Sequence, residues 1–578
     1  MGMGLPASRT LGDLLDEMAA RHPAREAIVW QDVRLTYRAF QERANQLARA
    51  FLRLGLGRGT SVGVLMGNRP EWLLAAFAAA KVGAVLVGLS TWSRPRELDH
   101  LLRHADVEVL VTQDRLLDQE YMTMLYGLCP ELASAEPGKL RSVRYPRLRA
   151  VICCGGREFP GASRFDEVMA LGAGGPATAV AEAQRAVRPE DPCFILYTSG
   201  STAEPKGVVL PHDATICNGF HTGERQRLTQ DDRLWLVISL FWGFGGQNGL
   251  PAILTHGGCV VLQEAFDPDE ALALIERERC TAFYGLPHMA RAMLDQPASR
   301  RRERRWLRTG ASLGSPEDIR MMVEDLGVKG LGNLYGCTEM FGSICQNDAA
   351  DPLPLKMHSQ GLPLPNTTLR ILDPETGRPL PPGEVGEICV RSYPRAWPCY
   401  HGDEAESRAA FDAEAFFRSG DLGALDGDGR IHFWARRKDV IKTAGLNVSP
   451  LEVEHVLLAC PGVRAAQVVG VPDADRGEVP VAVIDLGREG GGDDPPEAAE
   501  AGLRRHCREQ LSAFKVPVTF LFRPAAAFPR TATGKVDRRR LRDEVARAVS
   551  GGPRAVEATS GAATPGEAAG SDGGDEAP

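Results

Sequence analysis

Apolar and polar positions alternate along the first four hundred residues with two periods. The stretch SRTLGDLLDEMAARHP (8–23) has helical spacing, and Pro23 lies beyond its end. EAIVW (26–30) and SVGVLMG (61–67) are short apolar runs that predict buried strands, with a helical stretch from Tyr37 to Leu54 between them. Strands alternating with helices imply crossover connections and parallel sheets covered on both faces. GEVGEICVRS (383–392) and GRIHFWARRKD (429–439) predict strands of a more antiparallel region. The predicted fold is α/β: a large N-terminal domain of parallel-rich sheets covered by helices, with a small β-sub-barrel, and a smaller, mobile α+β C-terminal domain.

The boundary falls where four charged residues run together, Arg436 to Asp439. Beyond it Ser449 predicts an N-cap, Pro450 the first helical position, and Glu452 a capping box. The runs AAQVVGV and VPVAVIDL follow, then a helix from about Glu497 to Leu511. The expected domains are 1–437, 438–545 and a tail, 546–578. From about Gly551 the tail has no aromatic residue and cannot offset its own ordering entropy, so disorder is expected there.

The longest apolar stretch, Trp72 to Ser90, changes this picture little. Lys81 stands in its middle, which costs about 2.5–3.5 kcal/mol in a bilayer. A buried helix followed by a strand, split near Gly83, is expected instead. The opening MGMGLPASRT has no charged-then-apolar leader pattern. The formal net charge of −8 argues against nucleic acid as a partner, and the basic runs Arg300–Trp306 and Asp537–Arg542 are expected to be solvated helix faces. The 13 cysteines show no CxxC or Cys/His ligand spacing, which points to a reduced, cytoplasmic chain without a zinc site.

Candidate chemistry gathers in five motifs. In YTSGSTAEPKG (197–207), hydroxyls from Thr198 to Thr202 surround Gly200, and Lys206 follows. The Walker pattern fails, because Pro205 precedes the lysine and Gly207 follows it. A phosphate cradle of hydroxyls, backbone N–H groups and one point charge remains. In NLYGCTEM (333–340), Tyr335 can stack on a planar base, Gly336 permits close approach, Thr338 can bond a phosphate and Glu339 is a hard oxygen ligand suited to Mg²⁺. Asp421 in FRSGDLG can accept two ribose hydroxyls. ARRKDVIKTAGLN and PRTATGKVDRRRL, with Lys535, complete the set. Each motif alone is weak; their joint occurrence in this order is specific.

These motifs resemble those of the adenylate-forming superfamily of acyl-CoA synthetases, peptide-synthetase adenylation domains and luciferases, from the first helix to about Arg542. The resemblance implies an ATP site built from Thr198, Ser199, Gly200, Ser201, Thr202 and Lys206, from Gly310 and Ala311, from Asn333, Tyr335, Gly336 and Thr338, and from Asp421, Arg436 and Lys535. It implies catalytic roles for Thr198, Glu339 and Lys535, Mg²⁺ on Glu339, a hinge at Lys438 and a coenzyme A tunnel at Gly445. The chain departs from the pattern at Ala203, Ala435 and Ala444, where glycine is usual, and at Trp242, where many relatives have histidine. An indole has one donor and no base, so Trp242 is expected to wall or gate an acyl pocket together with Phe241 and Gly246.

Two half-reactions follow from the resemblance. A carboxylate attacks the α-phosphate of ATP, giving acyl-AMP and pyrophosphate; a thiolate then takes the acyl group and AMP leaves. No carrier-protein segment follows Lys535, which favours free coenzyme A as acceptor. The region Phe241–Gly246 has no acid to hold an ammonium, which favours an acid without an amine: aliphatic or alicyclic first, aryl next. Loading of a separate carrier protein is the alternative. A catalytically dead scaffold is disfavoured because Lys535, Glu339, Asp421 and Arg436 are all present.

Overall fold

The uninterrupted apolar runs are interior strands of parallel sheets. Ser61–Leu65, Val109–Gln113 and Ala150–Cys154 are buried at every position, as strands covered on both faces must be. The computed structural model describes residues 4–198, 205–394, 398–443, 446–473, 476–487, 496–531 and 535–550. Among these residues a seven-stranded sheet has the order Lys206–Pro211, Pro192–Thr198, Val85–Gly88, Ser61–Leu65, Val109–Gln113, Ala150–Cys154, Ala162–Arg164. All its pairs are parallel except the first, which is antiparallel.

A nine-stranded sheet lies beside it, with Gly330–Cys337, Thr309–Ser312, Ala282–Tyr284, Arg233–Leu236, Cys259–Leu262 and Glu26–Trp30 as its parallel centre. One core joins the two sheets to the helices Leu11–Arg21, Tyr37–Arg53, Pro70–Val82 and His212–Arg225. Separate cores cover the outer faces. A four-stranded antiparallel sheet (Thr368–Leu372, Gly386–Arg391, Phe417–Leu425, Ile431–Arg436) stands where the small barrel was expected. It shares a core with Tyr335, Ile344 and Cys345 of the nine-stranded sheet and with Met340 on the turn between their strands.

The membrane-like stretch divides as expected. The helix Pro70–Val82 ends at Gly83, whose φ of 77° forms the left-handed cap, and the strand Val85–Gly88 follows. Lys81 is fully buried and its Nζ donates to Asp16 Oδ1 at 2.6 Å and Gln184 Oε1 at 3.0 Å. Burial pushes its ammonium down from the usual lysine range and Asp16 holds it up. No described helix is long and apolar enough to cross a membrane.

Residues from Ile441 onward build a five-stranded sheet with its own cores. Ser449 caps Pro450–Leu458 by accepting from the Glu452 amide, but the capping box does not close. The Glu452 carboxylate accepts instead from Lys515 Nζ at 2.5 Å, through Oε1. Ser449 Oγ donates to the Trp434 carbonyl at 2.7 Å and so ties the helix back across the boundary.

The two basic runs differ from expectation. Residues 301–306 are turns rather than a helix, because Pro297–Arg300 forms a short 3₁₀ turn and Arg304 Nη1 folds back onto Ser299 Oγ at 3.0 Å. The second run does form a helix, Arg538–Ser550. Arg538 is not simply solvated: it donates to Glu454 Oε2 at 2.7 Å and to the Val468 carbonyl at 3.0 Å. The expected tail from Gly551 lies outside the described residues.

Candidate active site

The motif residues converge at the carboxyl ends of parallel strands, the usual ligand crevice of open α/β sheets. Thr198 ends Pro192–Thr198 and Lys206 begins the returning strand. Residues Ser199, Gly200, Ser201 and Thr202 lie outside the described residues. Lys206 is half-buried, forms an ion pair with Glu406 and sits 5.1 Å from the centre of the Tyr400 ring. The Tyr400 hydroxyl donates to Glu339 Oε1 at 3.2 Å. Burial and the neighbouring carboxylate push the Tyr400 phenol up, so it stays a donor. Tyr400 and Glu406 thus link the phosphate-loop lysine to the acidic turn. The sequence reading missed both, because they come from YHGDEAES, far along the chain and without a motif of their own.

Glu339 lies on the 3₁₀ turn Thr338–Met340. It is half-buried and forms no ion pair with a described residue. Among the described residues no cluster of three or more His, Cys, Asp or Glu could hold a metal. Thr338 lies under the neighbouring turn: a Cβ built on Gly243 would meet its Oγ1 at 2.9 Å.

Tyr335, buried on Gly330–Cys337, donates to Asp421 Oδ2 at 3.0 Å and stacks on Phe433 with ring centres 5.8 Å apart. One tyrosine face is therefore already covered. Asp421 is buried, and burial pushes its carboxyl up. The Arg436 guanidinium, 3.5 Å away, and the Tyr335 hydroxyl pull it back. Asp421 and Arg436 are cross-strand partners, so sheet register alone brings this acid and its arginine together. Asn333 is buried, and its side-chain amide donates to the Lys356 carbonyl at 3.1 Å, where it anchors the helix Leu353–His358.

Gly310 and Gly336 leave no room for a side chain. Gly310 has φ 143°, and a Cβ there would lie 2.1 Å from the Phe283 carbonyl oxygen. Gly310→Ala is therefore expected to cost about 3 kcal/mol or more, read as a fall in the urea midpoint; an unchanged midpoint would contradict this geometry. A Cβ on Gly336 would meet the Gly342 carbonyl at 1.9 Å. Ala311, beside Gly310, is fully buried.

The segment expected to line an acyl pocket runs from Phe241 and Trp242 into the π-helical segment Gly243–Gly249. Such segments are frequent at functional sites. Phe241 is buried edge-on to Trp92, with centres 5.0 Å apart. Gly246 closes the turn, where a Cβ would lie 2.0 Å from the Leu240 carbonyl.

The small domain reaches this end through Lys535. An isolated bridge between Arg530 and Val536 shapes its loop, and the Thr531 amide donates to the Lys535 carbonyl at 2.8 Å. The side chain keeps solvent contact, yet its Nζ lies 5.1 Å from the Trp242 ring centre. Surrounding protein and Arg436 push the ammonium down to about 8, against the pull of Asp421. Lys438 is exposed on the 3₁₀ turn Arg437–Asp439, between the strand ending at Arg436 and the small domain. Gly445 lies outside the described residues.

The family model "AMP-binding enzyme" matches residues 15–400, and "AMP-binding enzyme C-terminal domain" matches 452–535. The chain belongs to the AMP-binding enzyme family and is an AMP-forming ligase of the acyl-CoA synthetase type. It is 34% identical over 540 residues to YngI of Bacillus subtilis (strain 168), a protein assigned to the acyl-CoA synthetases, covering 93% of this chain and 97% of that one. It is 32% identical over 548 residues to the mitochondrial medium-chain acyl-CoA ligase ACSF2 of Danio rerio, covering 93% and 88%. The crystal structure of the anthranilate CoA ligase AuaEII in complex with anthranoyl-AMP superposes with a TM-score of 0.81 at 27% identity, covering 94% of this chain and 99% of that one.

Proposed function

We propose that this enzyme activates a medium-length aliphatic or alicyclic carboxylic acid with ATP and passes the acyl group to free coenzyme A. The observation that carries this reading is the meeting of Lys535, Trp242, Asp421, Arg436 and Glu339 at one crevice. Carboxylate and triphosphate are both anionic, so their approach needs fixed cations. Lys535 would stand between the carboxylate and the α-phosphate. Lys206, with Thr198 and the loop that follows, would hold the leaving β- and γ-phosphates once Glu406 yields its place. Asp421 and Arg436 would hold the ribose, and the segments around Gly310 and Tyr335 the adenine. Mg²⁺ held through Glu339 supplies charge neutralisation on the phosphate oxygens.

The preference for an aliphatic acid rests on the aromatic, uncharged acyl end and on the medium-chain name of the ACSF2 relatives. A hinge at Lys438 would separate 1–437 from 438–545 and serve the two half-reactions in turn. The 13 cysteines are all free, which supports a reducing, cytoplasmic setting.

The reading is tested by ATP–pyrophosphate exchange over straight-chain, alicyclic, aryl and amino acids. AMP release is then compared with coenzyme A and with a phosphopantetheinylated carrier protein as acceptor. Octanoate-like acids with coenzyme A should give the highest turnover; faster turnover on the carrier would favour the carrier-loading alternative.

The Lys535 ammonium sets the pH dependence. It is charged below about pH 8 and neutral above, and only the charged form attracts the two anions. Because kcat/KM reports the free enzyme, kcat/KM for ATP in exchange should fall about tenfold per pH unit above about pH 8. Lys535→Arg should remove that limb, since a guanidinium stays charged. A profile that is flat to pH 9.5 in the wild type would count against the assignment.

A further inference from the structure

Trp242 occupies a position fixed by its backbone. Its amide donates to the Ser239 carbonyl at 3.0 Å, and its own carbonyl accepts from Gly245 at 3.0 Å and Gly246 at 2.9 Å. Side chains at both glycines would collide with backbone carbonyls: a Cβ on Gly245 would lie 2.5 Å from the Ile238 and Ser239 oxygens. The indole is therefore presented by a turn that cannot easily shift. It meets Phe244 edge-on, at 6.4 Å and 75°, and half-buried it faces Lys535 Nζ at 5.1 Å from the ring centre.

The other groups around that ammonium do not explain why it rests there. Arg436 repels it. Asp421 attracts it but is already engaged by Arg436 and by the Tyr335 hydroxyl. An aromatic face attracts a cation without neutralising it. A carboxylate at this position would hold the lysine more tightly and would also repel both substrates. A protonated histidine would repel the lysine. The indole leaves the positive charge available to incoming anions and lets the lysine go without breaking an ion pair.

We propose that Trp242 is a positioning residue for the first half-reaction: its indole face docks the Lys535 ammonium at the acyl end of the crevice, in addition to walling the pocket. The proposal rests on the reading of Lys535 as the lysine of acyl-AMP formation. The small domain thus meets the large one at the reacting atoms through a cation–π contact, which is lost whenever the domain turns away.

The test measures both half-reactions for Trp242→Phe and Trp242→Leu, in wild-type and Lys535→Ala backgrounds. The probe acid is whichever of the straight-chain panel, octanoate included, the wild type activates best. Loss of the contact should lower kcat for exchange about 3- to 30-fold in Trp242→Leu, the range expected for exposed to desolvated cation–π pairs. Trp242→Phe, which keeps a π face, should stay within about threefold of wild type. In the Lys535→Ala background Trp242→Leu should add only the loss that the pocket wall itself contributes, read as its effect on thioester formation from supplied acyl-AMP and coenzyme A, and that effect should be clearly smaller than the loss in exchange. Equal losses from Trp242→Leu in both backgrounds would overturn the proposal. So would an effect confined to the KM of the acid, or equal loss of both half-reactions. If Lys535→Ala itself leaves exchange intact, it is the reading of Lys535 that fails. Should Trp242→Leu not fold, Trp242→Met carries the same expectations.

Discussion

Lys535→Ala should lower acyl-AMP formation about a thousandfold while leaving thioester formation from supplied acyl-AMP and coenzyme A within a few-fold of wild type. The magnitude is at the upper end of what one preorganised charge contact contributes, because here the lysine faces two anions at once. The asymmetry follows from the geometry. Lys535 sits on a loop closed by the Arg530–Val536 bridge, in a part of the chain with its own cores. Its ammonium enters the crevice only where the small domain leans on the large one, at Trp242 and along the exposed Arg464–Asp295 ion pair of 2.5 Å. An exposed pair of this kind contributes little, and the surrounding protein and Arg436 disfavour the charged lysine in the docked position. The docked arrangement is therefore not locked: ATP and carboxylate provide the missing counter-charge, and acyl-AMP with pyrophosphate gone provides less of it. A thiol needs the lysine elsewhere, so the second step should not depend on it. Separate assays of pyrophosphate exchange and of acyl-AMP consumption check this, and equal loss in both would contradict the alternation of the small domain.

Much of the fold was legible because burial leaves a strong periodic signal. Strands buried on both faces appear as unbroken apolar runs, and Gly83 with Lys81 divided the one ambiguous stretch correctly. The misreadings were local competitions that patterns do not rank. Glu452 was expected to close a capping box, but its carboxylate accepts from Lys515, 63 residues away. The run 300–306 has helical composition, but a proline-led 3₁₀ turn precedes it and Arg304 folds back onto that turn. At the site, motif residues were legible one by one, whereas their connections were not. That Tyr335 is tied to Asp421, that Asn333 serves the helix Leu353–His358, and that Tyr400 joins Lys206 to Glu339 are all consequences of long-range register. Trp242 was read as a pocket wall; its contact with a lysine 293 residues later in the chain has no signature in either segment.

Glu339→Gln should reduce exchange activity about a hundredfold and raise the Mg²⁺ concentration for half-maximal activity at least about tenfold. Glutamine has nearly the shape of glutamate, and its carbonyl oxygen can still accept the Tyr400 hydroxyl, the one hydrogen bond that the Glu339 side chain receives from described residues at 3.2 Å. The turn Thr338–Met340 and its packing should therefore persist, with the urea midpoint unmoved. What disappears is one negative charge in the proposed phosphate end of the crevice, where Lys206, now paired with Glu406, would supply a cation for the leaving group. A divalent ion needs a carboxylate on the protein side to bridge to phosphate oxygens, and an amide oxygen is a much weaker ligand for so hard a cation. Tyr400→Phe offers the contrast: it removes the hydrogen bond but keeps the carboxylate, so it should cost only a few-fold. Exchange near wild type in Glu339→Gln, or a Mg²⁺ requirement equal to that of the unaltered enzyme, would show that the charge at Glu339 does not serve the metal.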